Sequence, residues 1–151
     1  EGDTLIDIGA GTGSVSVEAA LQGACVYAVE EKHEGAELIR KNAIKFGVPI
    51  TVMENSAPDG LRELPAFNKC FIGGSGGRLE EIVRWAGDRI NRGGILAANF
   101  ITLNNLGLFT ACLKEEDYTD VEIRLLQISN MDKLGLLKAH NPVFVARGRK
   151  R

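Results

Sequence analysis

Residues Leu5 to Glu18 read L-I-D-I-G-A-G-T-G-S-V-S-V-E. An apolar run meets an acid at Asp7, and glycines follow at positions 9, 11 and 13 before an amphipathic stretch begins. Glycine loses more backbone freedom on folding than any other residue. Three of them within five positions therefore imply that a ligand or a neighbouring element comes close. The stretch predicts a strand, a turn poor in side chains and a helix, which is the ligand-binding corner of an open parallel sheet.

Two ligand classes compete for such a corner. Dinucleotide sites use G-x-G-x-x-G, with the pyrophosphate on the helix N-terminus. Here the spacing is G-x-G-x-G, and no G-K-[ST] follows, which excludes a P-loop. Asp7 would repel a pyrophosphate but suits a ligand carrying an amine. S-adenosylmethionine carries an ammonium and a sulfonium and no phosphate. Glu30, at the end of the second apolar run, is placed to accept hydrogen bonds from both hydroxyls of a ribose, at roughly 1.5–3 kcal/mol for each bond to a charged acceptor. Two plainer readings stand beside this one. Glu30 and Glu31 are also what a helix N-terminus favours, and the glycines also serve tight packing.

Apolar runs alternate with amphipathic stretches along most of the chain. Strands are predicted at Thr4 to Ile8, Ala24 to Glu30, Ile50 to Met53, Phe67 to Ile72 and Ile95 to Ile101. The first helix is predicted from Ser14 to Gln22, with Ser14 as N-cap and Gly23 as stop. The second runs from about Lys32 to Phe46, with Ala36, Ile39, Ala43 and Ile44 inward and Gly47 ending it. Leu79 to Ile90 is a third helix, with Leu79, Ile82, Val83 and Ala86 inward, and Leu106 to Leu113 is the core of a fourth. After Asp117 the rhythm changes. Val121 to Ile128 and Val143 to Ala146 have no convincing helix between them, and Asn141-Pro142 marks a turn. The expectation is one doubly wound α/β domain whose mostly parallel sheet closes with an antiparallel hairpin at one edge.

Composition narrows the partners. Net charge is -2, and Lys and Arg cluster only in the final R-G-R-K-R, read as a solvated tail. Nucleic-acid binding by phosphate neutralisation is disfavoured. No apolar run approaches the roughly eighteen residues of a membrane span, which predicts no membrane partner. Cys25, Cys70 and Cys112 are odd in number and form no C-x-x-C pair. They are read as buried free thiols of a cytoplasmic protein. The two histidines, His33 and His140, lie far apart, which argues against a zinc site. Glu1-Gly2-Asp3 leads straight into a strand, so residues 1–151 are read as a domain lacking an N-terminal segment.

D-I-G-A-G-T-G followed by V-Y-A-V-E resembles the class I, Rossmann-like S-adenosylmethionine-dependent methyltransferases, whose seven-stranded sheet ends in an antiparallel hairpin. E-N-S-A-P-D-G-L, F-I-G-G-S-G-G-R-L-E-E-I, N-F-I-T-L and N-P-V-F-V narrow the likeness. With them, essentially the whole chain is similar to the C15-methylating, decarboxylating precorrin methyltransferases of cobalamin biosynthesis. The resemblance implies that Gly9, Ala10, Gly11, Thr12 and Gly13, beside Asp7, hold the methionine end of the cofactor. It implies that Glu30 takes the ribose and that Ala57 lies by the adenine. Ser56 stands where the family often has Asp. It also implies a homo-oligomer, often a tetramer, and a preceding segment with a helix over the site.

Methyl transfer from a sulfonium is an in-line displacement with an activated leaving group, so alignment is the protein's main task, worth on the order of 7–11 kcal/mol. No Ser-His-Asp or Cys-His constellation suggests itself, and neither histidine receives a catalytic role. F-I-G-G-S-G-G occupies the place where amine-methylating relatives carry an Asn/Asp-Pro-Pro-Tyr/Phe motif. The segment Gly73, Gly74, Ser75, Gly76 and Gly77 is therefore expected to form a floor for a large flat ring, a tetrapyrrole, rather than a plain strand–helix connection. Arg78, Arg124 and Lys133 are candidate partners for its carboxylates by charge alone. The resemblance implies methylation at C15 of cobalt-precorrin-6B or precorrin-6Y, with loss of the C12 acetate carboxyl as carbon dioxide. Another small-molecule or RNA methyltransferase on the same scaffold, or a non-catalytic domain keeping the pocket, are the alternatives.

Overall fold

The computed structural model describes residues 2–151; Glu1, where the abrupt start was read, lies outside the described residues. In chain order the elements are β1 (Thr4–Ile8), α1 (Ser14–Leu21), β2 (Cys25–Glu30), α2 (His33–Phe46), β3 (Thr51–Glu54) and a 3₁₀ turn (Asp59–Leu61). Then come β4 (Phe67–Ile72), α3 (Leu79–Arg89), β5 (Ile90–Phe100), α4 (Leu103–Glu115), β6 (Tyr118–Leu126), β7 (Ser129–Met131), β8 (Leu137–Ala139) and β9 (Val143–Lys150). The main sheet has the order β3-β2-β1-β4-β5-β9-β6. Neighbours from β3 to β5 pair in parallel, while β9 is antiparallel to both β5 and β6. The strand order reverses between β1 and β4, so a crevice opens at their carboxyl ends.

Alternation along the strands sorts the two faces. Ile6, Ile8, Cys70, Ile72, Leu96 and Ala98 are buried in one cluster with Ile82, Phe109 and Leu113 of α3 and α4. On the other face Leu5, Phe71 and Ala97 line a cavity of about 290 Å³ with Val15 and Ala19 of α1. Among the described residues no helix is long and apolar enough to cross a membrane.

The closing strands form the expected antiparallel pair at one edge, β6 with β9, with β9 lying between β5 and β6, and the polar stretch between them folds as its own two-stranded hairpin, β7–β8. Several other expectations need correction. The R-G-R-K-R terminus is not a solvated tail, because β9 runs through Lys150. Gly148 passes beneath α4, where a Cβ would stand 3.1 Å from Leu113 and from Tyr118. Arg147 faces outward to Glu122 at 2.6 Å. Ile44 is 82% exposed, since the buried stripe of α2 is Ala36, Ile39 and Ala43 and Ile44 lies a third of a turn beyond it. Gly13, at φ 75°, takes the N-cap of α1 in place of Ser14, whose hydroxyl instead meets that of Thr12 at 2.7 Å. Cys25 is exposed at the start of β2, whereas Cys70 and Cys112 are buried.

Candidate functional site

The site grows from the turn after β1. Gly9 N–H and Ala10 N–H both donate to the Val29 carbonyl, at 2.9 and 3.1 Å, which ties the turn to the end of β2. Gly73 N–H donates to the Ile8 carbonyl at 2.8 Å, so the loop after β4 crosses directly over the turn. That crossing explains Gly9: at φ 66° a Cβ would collide with the Gly74 carbonyl and lie 2.6 Å from its nitrogen. Gly13 makes room for Ile39 of α2, whose side chain stands 3.0 Å from where a Cβ would be. Two of the three glycines therefore answer to packing. Gly11 has open space around it and uses its positive φ of 57° to aim its N–H at Glu30.

Glu30 is held before any ligand arrives. Its Oε2 accepts from Gly11 N–H at 2.9 Å and its Oε1 from Lys32 N–H at 3.0 Å. Each carboxylate oxygen keeps a further lone pair for an incoming hydroxyl. Gly35 in α2 provides the space, since a Cβ there would lie 2.7 Å from Glu30 Cγ.

Asp7 lies behind the turn. It is 1% exposed, accepts the Ser16 hydroxyl at 2.6 Å and is also bonded by the Ser16 backbone. It thereby satisfies an N–H in the first turn of α1 that has no partner within the helix. Burial, outweighing those hydrogen bonds and reinforced by the Glu30 charge, pushes its carboxyl up to about 6. Its carboxylate does not line the cavity, so the loop acid works as an internal strut.

In front of the turn is a cavity of about 300 Å³, within the size range of small-molecule sites. Gly9, Glu30, Ser56, Ala57, Gly74 and Ser75 are among its lining residues, as is Gly76. Of the other residues singled out in the turn, Ala10, Gly11, Thr12 and Gly13 shape it from outside this lining. Sequence reasoning missed Asn55 and Lys32. The signal for Asn55 is Gly60, which leaves its side chain space: a Cβ there would lie 2.6 Å from it. Arg78 also lines the cavity but is already engaged, donating to Asp59 and Glu81 at 2.5 Å each. Those bonds push its guanidinium up and hold both carboxyls down. Arg124 is likewise paired, with Glu122, and Lys133 lies in the exposed β7–β8 turn.

A second cavity of about 280 Å³ opens on the other side of the β4–α3 loop, lined by Gly73, Gly74, Ser75, Asn99, Phe100 and Asn105. Gly74 and Ser75 border both cavities. Gly77 borders neither. The arrangement sets two cavities side by side at a loop poor in side chains, with a carboxylate held in place on one side. Such a site can align a donor and an acceptor.

Comparison with known proteins gives a consistent picture. A family model described as a precorrin methyltransferase domain matches residues 1–146. The chain is 38% identical over 151 residues to a probable cobalt-precorrin-6B C(15)-methyltransferase (decarboxylating) of Pyrobaculum calidifontis, covering 95% of this chain and 77% of that protein. To the cobalt-precorrin-6B C(15)-methyltransferase (decarboxylating) of Salmonella typhimurium it is 37% identical over 147 residues, 93% of this chain and 76% of that one. Its fold superposes with a TM-score of 0.92 on a crystal structure described as precorrin-6y C5,15-methyltransferase from Geobacter metallireducens, at 34% identity over 99% of this chain and 80% of the other.

Proposed function

The chain belongs to the precorrin methyltransferase family, and from that premise we propose that it methylates C15 of a cobalt-precorrin-6B or precorrin-6Y ring and removes the C12 acetate carboxyl as carbon dioxide. The observation that carries this reading is the pair of cavities meeting at Gly74 and Ser75. S-adenosylmethionine fits the first: Glu30 offers free lone pairs to its ribose hydroxyls, and Ser56 and Ala57 flank the place for its adenine. When bound, it supplies an activated methyl group.

The residues of the chain do the positioning. Gly9 and Gly73 let two backbones cross without side chains, so the loop stays low and donor and acceptor can meet directly over its edge at Gly74 and Ser75. Glu30 fixes one ligand, and Asn99 and Asn105 present amides to the other. Holding both in line supplies most of the rate advantage such a displacement needs, on the order of 7–11 kcal/mol.

The same reading makes the protein a homo-oligomer. Met131, at 72%, and Leu134, at 84% exposed, stand on the β7–β8 hairpin beside exposed Leu136 and Leu137. β6 adds Val121, Ile123 and Leu125 along the outer edge of the sheet, and an apolar edge of this kind suits a second copy. We place the activity in the cytoplasm, where Cys25, Cys70 and Cys112 stay reduced. The function is tested by titration calorimetry with S-adenosylmethionine, followed by mass spectrometry of the tetrapyrrole after turnover. Binding with a methylated, decarboxylated product is expected; no cofactor binding would overturn the reading.

A further inference from the structure

The cavity beyond the Gly73–Ser75 loop has a neighbour at Asn99. Asn99 and Val143 also line a larger neighbouring space of about 430 Å³, walled by Phe71, Leu126 and Val145 and reaching His140. Its surface is apolar apart from His140, Asn99 and Asn141. His140 is more firmly placed than its loop position suggests. Its N–H donates to the Ile128 carbonyl at 2.8 Å, and its own carbonyl accepts from Gln127 Nε2 at 2.9 Å. Its ring Nε2 meets Asn130 Nδ2 at 2.9 Å. Among the described residues its Nδ1 has no partner. An amide beside Nε2 suits both states of the ring, since Nδ2 donates to a bare Nε2 and Oδ1, with the amide turned over, accepts from Nε2–H.

We propose that this apolar space receives the carboxymethyl arm that the substrate loses, and that His140 delivers the proton that replaces the carboxyl. This rests on the function proposed above and adds the residue for its second half. A carboxylate laid against the apolar wall of Phe71, Leu126 and Val145 sheds part of its hydration, which favours its departure as neutral carbon dioxide. The bond between the methylene carbon and the carboxyl carbon breaks, and its electron pair stays on the methylene carbon. That pair forms a new C–H bond with the Nδ1 proton of the imidazolium. Carbon dioxide leaves, the arm becomes a methyl group, and water returns a proton to the neutral ring.

The test uses the full natural chain, S-adenosylmethionine and the tetrapyrrole, with products followed by mass spectrometry and released carbon dioxide measured directly. In His140→Gln, decarboxylation is expected to fall by about 10²-fold while methylation continues, so a methylated ring still carrying the carboxyl accumulates. Asn130→Leu should move the ratio of the two steps in the same direction. Unchanged melting and cofactor affinity confirm that both variants are folded. Decarboxylation at the wild-type rate in His140→Gln, or equal loss of both steps, overturns the assignment of His140. A wild-type chain that neither methylates nor decarboxylates refutes the proposed function itself, and this inference with it.

Discussion

Replacing Asp7 with Asn should change how stability depends on pH. Asp7 is 1% exposed, and burial pushes its carboxyl from an ordinary 3.8 up to about 6. A carboxyl whose affinity for a proton rises on folding stabilises the fold while it is protonated. That contribution is complete below pH 3.8 and is lost as the pH climbs through about 6. A rise of about 2 pH units corresponds to about 3 kcal/mol between the two limits, with no reduction for solvent screening at so buried a site. Asp7→Asn abolishes the titration and alters the bonds to Ser16 by an amount that does not vary with pH. The informative quantity is therefore the stability of wild type minus that of the variant, from urea unfolding followed by circular dichroism between about pH 4 and about pH 8. That difference should fall by roughly 2.4 kcal/mol across the range, most of the limiting value, and level off above the native value. A flat difference would refute the claim that Asp7 is a buried strut that ionises at a cost.

Three further outcomes follow from the geometry. Gly35→Ala places a methyl 2.7 Å from Glu30 Cγ while improving helix propensity by up to about 1 kcal/mol. It should bind S-adenosylmethionine about tenfold or more weaker, as Glu30→Ala should, with little loss of melting temperature; calorimetry showing wild-type affinity would count against Glu30 as the ribose ligand. Of the three thiols, only exposed Cys25 should react quickly with a chromogenic disulfide under native conditions, because burial protects Cys70 and Cys112 and pushes both thiols up. Finally, Leu134→Asp combined with Leu137→Asp should shift sedimentation toward the monomer at unchanged melting temperature; an unaltered assembly would exclude the β7–β8 hairpin as its contact.

Much of this molecule was legible without coordinates. The first strand, the α3 stripe of Leu79, Ile82, Val83 and Ala86, and the stop at Gly47 all follow from local periodicity and backbone preference, which act over a turn or two of chain. Glu30 could be singled out because its position after a β-branched run is a local property. What the reading missed was decided at a distance. Arg147 and Arg149 look like a charged tail until β9 is seen between two partner strands, its outward side chains paired with Glu122 and Asp120. Arg78 looks free until Asp59, nineteen residues earlier, folds back onto it.

The sequence by itself determined the sheet-and-helix alternation, the side-chain-poor turn and the presence of an acid near the end of each of the first two strands, because those depend on residue type and spacing. Only the tertiary structure decided which acid faces a ligand. Asp7 and Glu30 both lie at the ends of their strands, yet Ser16 draws one into the interior while Gly11 and Lys32 hold the other at the cavity. The border shared by the two cavities is likewise a product of two loops crossing, Gly9 beneath Gly74, across more than sixty residues of chain. No local pattern encodes such a crossing, because its geometry depends on which strands lie side by side.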